Sequence, residues 1–340
     1  MKRPHTMLEL LKMFGQYLTL NRGCTDATLN TYESGWAQLF RYAKEQRNLR
    51  PTQLTVEDLT PEFTNDFLLS LDARGNKVST RNNRLAAVQA FFQFIAELDP
   101  LRYAAQAEYI QTVRLKRGGG PPPIYYLTRE EARAVIEAPN VETWAGLRNR
   151  ALLTLMFQTG IRSSEARALL LEDFYVHPSP GIRIRNGKGR KSRDLPLHAN
   201  TVAELNAWLR VRGTEDGPLF PTNRITHMKS GALELIVKTS VEKAVKTCST
   251  LSNRNIHPHI LRHTAAMFML DSGVDLAVIA LHLGHADVKT TYRYLHHNRR
   301  IKEKAMNQTS FPVPKPRAAA NDNEDLVEAY GPRKKYLSRS

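Results

Sequence analysis

Cysteine is nearly absent from the sequence, since only Cys24 and Cys248 occur among 340 residues and neither has a cysteine or histidine at metal-binding spacing. This excludes a disulfide framework and a zinc site of the common spacings, and it favours a reducing, cytoplasmic setting. Long apolar runs are missing too. No stretch approaches the roughly 18 apolar residues of a membrane span, and the N-terminus lacks the long apolar core of a signal peptide. We therefore expect no membrane contact.

The motifs that commonly bind nucleotides or metals are also missing. The sequence has no Walker-type loop, no His-Glu-x-x-His pair, no EF-hand loop and no internal repeat of fixed period. We therefore expect neither a cofactor nor a bound metal ion.

Acidic residues are too few to balance the basic ones. Lysine and arginine number 49 against 33 aspartate and glutamate residues, which gives a formal charge of +16. Such an excess favours a polyanionic partner, most simply nucleic acid, although a basic protein with a solvated surface would show the same balance. With 41% hydrophobic residues the chain can bury real cores, so it is not a disordered protein. Its length favours two domains.

The first part of the chain has the apolar spacing of helices, and residues 6–115 predict a mostly helical domain. The predicted helices are Met7–Leu20, Thr28–Gln46, Leu54–Leu59, Phe63–Asp72 and Ser79–Leu98. The polar face around the last helix offers candidates for DNA contact, with a plainly solvated face as an equal alternative. These candidates are Lys77, Arg81, Asn82 and Arg84.

A change in composition separates this part from the rest. Residues 116–123 read KRGGGPPP, and flexible glycines followed by stiff prolines are typical of a linker. The second block, residues 124–310, opens with a capping box of Thr128 and Glu131. Further helices are predicted at Thr128–Ala138, Leu147–Thr159, Ser163–Leu170, Thr201–Val211 and Ala232–Lys246.

Two segments of the second half are not helical in pattern. Gly181–Leu197 alternates apolar and charged residues around a glycine-rich turn, which predicts a β-hairpin with Lys188 at its tip. Residues 311–340 are rich in proline, alanine, asparagine and charge, which predicts a largely disordered tail with a basic end.

The stretch from residue 257 to 296 combines side chains that suit a phosphodiester. A proline can open its first helix, and His259 and Arg262 then lie three residues apart on one face. A short second helix, 275–283, stops at a glycine, and His285 follows. A third helix carries two tyrosines, Tyr292 and Tyr294. Arginine forks bind phosphate oxygens, histidine moves protons near neutral pH, and a tyrosine hydroxyl can act as a nucleophile.

Six residues then occur in a recognisable order along the chain: Arg162, Lys188, His259, Arg262, His285 and Tyr294. With the segments TGIRSSEARALLLEDF, GKGRKSRDLPL, HPHILRHT and LGHADVKTTYRYLH, the chain resembles the tyrosine recombinase (phage integrase) family over most of residues 155–297. The resemblance implies a catalytic domain at 124–310 that is mainly α with a small β-sheet (α+β). It also implies that residues 1–115 form a separate all-α, SAM-like core-binding domain.

When the family's residue roles are transferred to the matching positions of this chain, the resemblance implies how the scissile phosphate would be bound. Arg162 and Arg262 would clamp the scissile phosphate. His259 and His285 would hydrogen-bond it, and His259 would help to take the proton of the nucleophile. Glu165, beside the first arginine, would orient its neighbours.

The resemblance also implies a nucleophile and an acid. Tyr294 would attack the phosphorus, because the family's nine-residue step from the Gly-His pair ends there; Tyr292 is the alternative and is otherwise expected to pack. Lys188, in the Gly-Lys-Gly match, would protonate the leaving 5′ oxygen, with Lys191 as the alternative. The other histidines of the region are interpreted as structural or surface residues: His257, His263, His282, His296 and His297.

The implied function is that of a site-specific DNA recombinase, which breaks and rejoins DNA through a 3′-phosphotyrosyl intermediate without ATP. Its implied partners are double-stranded DNA, further copies of the chain in a tetramer on two DNA sites, and accessory DNA-bending proteins. Residues 299–308 are the candidate segment for docking on a neighbouring copy. The alternatives are a catalytically silent DNA-binding accessory protein and a type IB topoisomerase-like enzyme. The sequence does not distinguish an integrase of a phage or mobile element from a Xer-type resolvase or a transposon-encoded recombinase. It slightly favours a mobile element.

Overall fold

The computed structural model describes residues 5–118, 124–185, 192–223, 226–285, 287, 289–297, 303 and 306, with the backbone alone at 289, 296 and 297. The chain divides into two compact units, residues 1–122 and 123–340. The domain limits predicted from the sequence, including the linker at 116–123, stay predictions. Among the described residues, no helix combines the length and the apolar character needed to cross a membrane.

The first unit is built from helices alone in its described part. They are α1 (Met7–Leu20), α2 (Asp26–Arg47), α3 (Pro61–Ala73), α4 (Val78–Leu98) and α5 (Pro100–Gln111). Helix α4 packs against the other four, because its apolar residues are buried on several sides, with Phe91, Phe92 and Ile95 fully enclosed. Local signals set the helix starts: Thr60 caps α3, and a capping box with Thr6 opens α1.

The predicted helix at Leu54–Leu59 is wrong, since this segment forms turns. The Thr55 backbone N–H and hydroxyl both donate to the Asp58 carboxylate at 2.8 Å. Such local side-chain hydrogen bonds compete with the backbone hydrogen bonds of a helix. The apolar residues of the segment, Leu54, Val56 and Leu59, are nevertheless buried in the core. Helix α5, in turn, has no counterpart among the predicted helices, although Asp99 caps it and Pro100 opens it.

The second unit is mainly helical with a small sheet. Its helices are α6 (Arg129–Glu137), α7 (Trp144–Thr159), α8 (Ser163–Ala168), α9 (Ala199–Arg212), α10 (Ser230–Ala244), α11 (Pro258–Asp271), α12 (Leu276–Leu283) and α13 (Lys289–His297). Its strands are β1 (Phe174–Tyr175), β2 (Gly181–Ile184) and β3 (Arg193–Pro196). The predicted fold class, mainly α with a small β-sheet beside a separate all-α domain, is confirmed.

The sheet is antiparallel in the order β1-β2-β3, and Ile182 lies opposite Leu195. Strands β2 and β3 confirm the predicted hairpin, whereas the two-residue β1 was not predicted. The hairpin tip, residues 186–191 with Lys188, lies outside the described residues, as does the predicted disordered tail.

In the described part of the second unit, two apolar clusters hold the helices together. The larger one surrounds α7, whose Leu152, Leu153, Leu155 and Met156 are almost completely buried. The smaller one joins α11, α12 and α13 through a few side chains: Ile124, Ala266, Met267, Leu270, Ile279, Leu283 and Tyr294. The smaller cluster therefore fixes the three helices that carry most of the predicted site.

Candidate active site

Three arginines converge on the C-terminal end of α12. Consecutive backbone oxygens there each accept one guanidinium N–H. Arg193 Nε donates to His282 O at 3.0 Å, Arg262 Nη2 to Leu283 O at 2.8 Å, and Arg162 Nη2 to Gly284 O at 2.7 Å. The last carbonyls of a helix lack intrahelical partners and carry partial negative charge. These three oxygens, named here the α12 carbonyl row, bring three positive side chains from different elements to one place.

Arg162 reaches this row because α7 ends abruptly at Gly160. The glycine has φ +62°, and a Cβ there would lie 2.7 Å from Leu283 Cδ2, so both the backbone and the space require glycine. Its carbonyl oxygen also accepts a bond from Arg262 Nη1 at 2.7 Å. Helix α8 then begins with Arg162 as its N-cap, and the Arg162 N–H donates to Glu165 Oε2 at 2.8 Å.

Glu165 is buried between two of the arginines. It accepts from Arg162 Nη1 at 2.9 Å and from Arg193 Nη1 and Nη2 at 3.0 and 2.8 Å. Burial alone would raise the pKa of Glu165, but the hydrogen bonds from Arg193 and the Arg162 backbone bring it below its usual value. The carboxylate therefore stays ionised and bonds both guanidinium groups, while its expected role in orienting them for catalysis stays a prediction.

Arg262 is buried on α11, with 5% of its surface exposed. Burial, followed by the charge of Arg162, lowers its pKa to about 10, so it remains a cation at neutral pH. A guanidinium has five N–H groups, and the bonds to Gly160 O and Leu283 O use two of them. Within the part of the chain that the structure describes, the others meet no acceptor, so they can bind an anion such as a phosphate.

Two histidines flank the arginine pair. His259 is accessible on α11, yet loss of hydration, followed by the charges of His257, Arg262 and Arg162, lowers its pKa. Burial and the same two arginines lower the pKa of His285 to about 4. His285 Nδ1 lies 2.6 Å from the hydroxyl of the fully buried Thr291. At neutral pH both histidines are therefore uncharged hydrogen-bonding groups.

The two tyrosines of α13 have opposite environments. Tyr294 is 2% exposed and belongs to the smaller apolar cluster, whereas Tyr292 is 50% exposed. Tyr292 is therefore not the packing residue that the sequence led us to expect. Burial raises the pKa of Tyr294, opposed by the charge of Arg262. The Tyr294 hydroxyl lies 2.9 Å from His263 Nδ1.

The structure thus brings five of the six predicted residues into one region of the second unit: Arg162, His259, Arg262, His285 and Tyr294. Lys188 lies outside the described residues. Within the described part of the chain, no group of three or more His, Cys, Asp or Glu side chains could hold a metal ion. What the arrangement offers is a fixed set of positive and neutral N–H donors beside a tyrosine hydroxyl, which suits an anionic phosphoryl group.

The four candidate DNA contacts of the first unit differ in exposure. Lys77 is exposed at the N-cap of α4. Asn82 clamps the backbone of residue 116, donating to its oxygen at 2.9 Å and accepting from its nitrogen at 3.0 Å. Arg81 and Arg84 are 8% and 9% exposed. Their contact with DNA stays a prediction, and it is Lys77 whose side chain the structure leaves most accessible.

The two buried arginines are explained by contacts within the first unit. Arg84 donates to the Thr31 carbonyl at 2.8 Å, to Ser34 Oγ at 3.1 Å and to Gln38 Oε1 at 3.2 Å. Arg81 lies 3.7 Å from the Asp72 carboxylate. These bonds tie α4 to its neighbours.

Sequence reasoning missed two side chains of the site. His263, interpreted as structural or surface, contacts the predicted nucleophile; its spacing of four residues from His259 places both on one helix face, a usable signal. Arg193 shares the inward face of β3 with Leu195, so alternation along the strand could have singled it out.

Comparison with known proteins is decisive for the family. A sequence model of the phage integrase family matches residues 125–300, and one of the phage integrase N-terminal SAM-like domain matches residues 11–97. The integrase/recombinase y4rC of Sinorhizobium fredii is 34% identical over 304 residues, covering 88% of this chain and 90% of that protein. The chain belongs to the phage integrase family.

Other members extend the likeness. Tyrosine recombinase XerC of Pelobacter propionicus is 30% identical over 292 residues, covering 85% of this chain and 91% of that protein. Two solved structures share the fold. The XerH recombinase bound to its difH substrate has TM-score 0.65 at 23% identity, covering 88% of this chain and 84% of that one. A lambda integrase dimer bound to a core site has TM-score 0.63 at 16% identity, covering 92% and 100%.

These findings confirm the predicted class, a tyrosine-type site-specific recombinase, over the catalytically silent alternative.

Proposed function

We propose that this integrase-family protein exchanges phosphodiester bonds in double-stranded DNA with Tyr294 as the nucleophile. The observation that carries the proposal is the α12 carbonyl row, which holds Arg162 and Arg262 side by side. The buried Tyr294 lies close enough to Arg262 for the positive charge of this arginine to lower the pKa of the tyrosine hydroxyl. Two fixed guanidinium groups stabilise the negative charge that a phosphoryl group gathers in the transition state, without a reorganisation step.

The strand-breaking step exchanges one phosphodiester for another. As the Tyr294 hydroxyl gives up its proton to a neighbouring base, its oxygen bonds to phosphorus and the bond from phosphorus to the 5′ oxygen breaks. The product is a 3′-phosphotyrosyl link with a free 5′ hydroxyl. Lys188 is the proposed donor of the proton to the 5′ oxygen. Because the bond energy is retained in the phosphotyrosyl link, the reverse reaction rejoins DNA without a nucleotide cofactor.

The histidines are proposed as neutral donors to the phosphate. When the buried Thr291 hydroxyl donates to His285 Nδ1, the proton of the neutral ring is on Nε2, which can then donate to a phosphate oxygen. We assign the corresponding role to His259, which is accessible on the same helix as Arg262.

Assembly follows the same proposal. A solved lambda integrase tetramer is bound to a Holliday junction, and we propose that four copies of this chain act on two DNA sites, with accessory DNA-bending proteins as further partners. The proposed docking segment, residues 299–308, lies outside the described residues except for 303 and 306.

The test is covalent capture. The protein is incubated with sheared genomic DNA of its source organism, denatured, and the DNA that remains attached is sequenced. Nicked duplexes of the recovered site are then offered to the wild type, to Tyr294→Phe and to Tyr292→Phe as the matched control. The proposal expects adducts with the wild type and the control, and DNA binding without an adduct for Tyr294→Phe. Adducts with Tyr294→Phe would defeat the assignment.

A further inference from the structure

The hydrogen-bond partner of the Tyr294 hydroxyl is His263. Nδ1 of the imidazole lies 2.9 Å from the tyrosine oxygen, and the two rings meet edge to face with centroids 5.7 Å apart. His263 belongs to α11, one residue after Arg262 and one helical turn after His259. Within the described residues this is the only hydrogen bond to the hydroxyl, whereas His259 makes none to it.

The position of the proton in this contact follows from burial. Tyr294 is almost fully enclosed and burial raises its pKa, so at neutral pH its oxygen carries a proton. A buried O–H without an acceptor is costly, and in the described structure His263 Nδ1 is the acceptor within reach. The tyrosine therefore donates, and the neutral imidazole carries its own proton on Nε2.

We infer that His263 is the base that takes the proton of Tyr294 as the tyrosine attacks DNA. The inference rests on the proposed nucleophile. As the O–H bond breaks, its electron pair forms the bond from oxygen to phosphorus, and its proton moves to His263 Nδ1. The bond from phosphorus to the 5′ oxygen breaks, and that oxygen takes a proton from Lys188. In rejoining, the protonated His263 returns its proton to the departing tyrosine oxygen.

The electrostatic setting is consistent with this role. Burial, followed by the charges of Arg293, His259, Arg262 and His257, lowers the pKa of His263 to about 4, and His285 faces the same group. The ring is thus unprotonated and able to accept at neutral pH. A phosphate bound between Arg162 and Arg262 would offset part of this positive charge, which raises the basicity of His263 when DNA is in place.

Two substitutions separate a base from a packing or positioning residue. His263→Ala removes both the hydrogen bond and the base, whereas the amide of His263→Asn can still accept a hydrogen bond but cannot keep a proton. The measurement is the single-turnover rate of adduct formation on the captured, nicked DNA site between pH 6 and 9, with and without added imidazole. His177→Asn, on the exposed loop between β1 and β2, is the control that should cleave at the wild-type rate.

The inference expects both variants to bind DNA and to cleave on the order of 10²–10⁴-fold more slowly than the wild type at neutral pH. Their rates should rise about tenfold per pH unit, because bulk base now has to remove the proton, while the wild-type rate stays flat. Imidazole should accelerate His263→Ala. If the alanine variant does not fold, the asparagine variant decides by its rate and pH slope.

Three results would overturn the inference: a wild-type rate in His263→Ala, a fast His263→Asn beside a slow His263→Ala, or a loss that is equal at every pH and indifferent to imidazole. The second pattern would describe a residue that only positions the tyrosine. A wild-type protein that forms no adduct, or a Tyr294→Phe variant that does, would instead overturn the assignment of the nucleophile and the role of His263 with it.

Discussion

Replacement of Glu165 by glutamine tests how the arginine pair is held. The carboxylate accepts four hydrogen bonds, one from the Arg162 backbone, one from the Arg162 side chain and two from Arg193. The side chains of Arg162 and Arg193 are 21% and 12% exposed. Glutamine keeps the shape but removes the charge, which leaves two poorly hydrated guanidinium groups side by side without a counter-ion.

Removing one partner of a buried ion pair destabilises a protein by about 3–5 kcal/mol. For a folding unit of this size, roughly 2–4 °C of melting temperature corresponds to each kcal/mol, so we expect Glu165→Gln to melt about 6–20 °C below the wild type. Since the Arg162 guanidinium loses the carboxylate that accepts its hydrogen bond, the rate of DNA cleavage should fall on the order of 10²–10³-fold.

The matched control is Asp194→Asn. It makes the same change of charge one residue from Arg193, in a pair with Arg183 whose side chains are 55% and 54% exposed. Exposed pairs contribute less than about 1 kcal/mol, so this variant should melt within a few degrees of the wild type. The reasoning would be refuted if Glu165→Gln shifted the melting temperature as little as the control does and cleaved DNA at the wild-type rate.

The dependence on pH has a definite sign. The pKa of Glu165 is lowered in the folded protein, so its contribution to stability is present above the pKa of the unfolded chain, about 4.3, and is lost as the pH falls through the folded value. The difference in melting temperature between wild type and Glu165→Gln should therefore be largest at pH 7 and become smaller as the pH falls through the pKa of Glu165. A constant difference down to strongly acidic pH would contradict this account.

Two further predictions concern the acid and the backbone. Lys188→Ala should slow cleavage of ordinary DNA about 10²–10⁴-fold. It should not slow cleavage of DNA with sulfur at the bridging 5′ position, because a thiolate leaves without a proton. The control Lys191→Ala should cleave both substrates at the wild-type rate, and equal slowing of both substrates by Lys188→Ala would exclude its role as the acid. Gly284→Ala should lower both stability and cleavage, measured by urea unfolding and adduct formation, because φ is +67° and the added Cβ would lie 2.8 Å from Arg193 Nη1. Gly273→Ala, with φ +83° and open space around it, should lose only the roughly 1–2 kcal/mol of the left-handed backbone, and equal effects of the two substitutions would show that contact with Arg193 is unimportant.

Local signals explain what the sequence could predict of the site. The second helix, expected at 275–283, forms at Leu276–Leu283 because Asp275 caps it and Gly284 ends it in a left-handed conformation. Helix α7 likewise ends at Gly160 in a left-handed conformation, and Arg162 follows two residues later. Such rules act over one or two turns of chain, so they place residues on elements without tertiary information.

The contacts that assemble the site could not be predicted in the same way. Arg193 meets Glu165 across 28 positions, and Arg262 bonds the carbonyl of Gly160 across 102. No local pattern encodes such pairs, because packing of separate elements decides them. His263 is an intermediate case: its helix face was predictable, but its contact with Tyr294 depends on how α13 packs against α11.

The identity of the covalently modified tyrosine tests the central claim most directly. Adducts trapped on a nicked site are digested with nuclease and trypsin, and the modified peptide is fragmented by mass spectrometry. Cleavage after Lys289 and Arg293 separates the two tyrosines of α13 into different peptides, and fragmentation resolves any uncut product. The account predicts a nucleotide on Tyr294; a nucleotide on Tyr292, or on another residue, would contradict it.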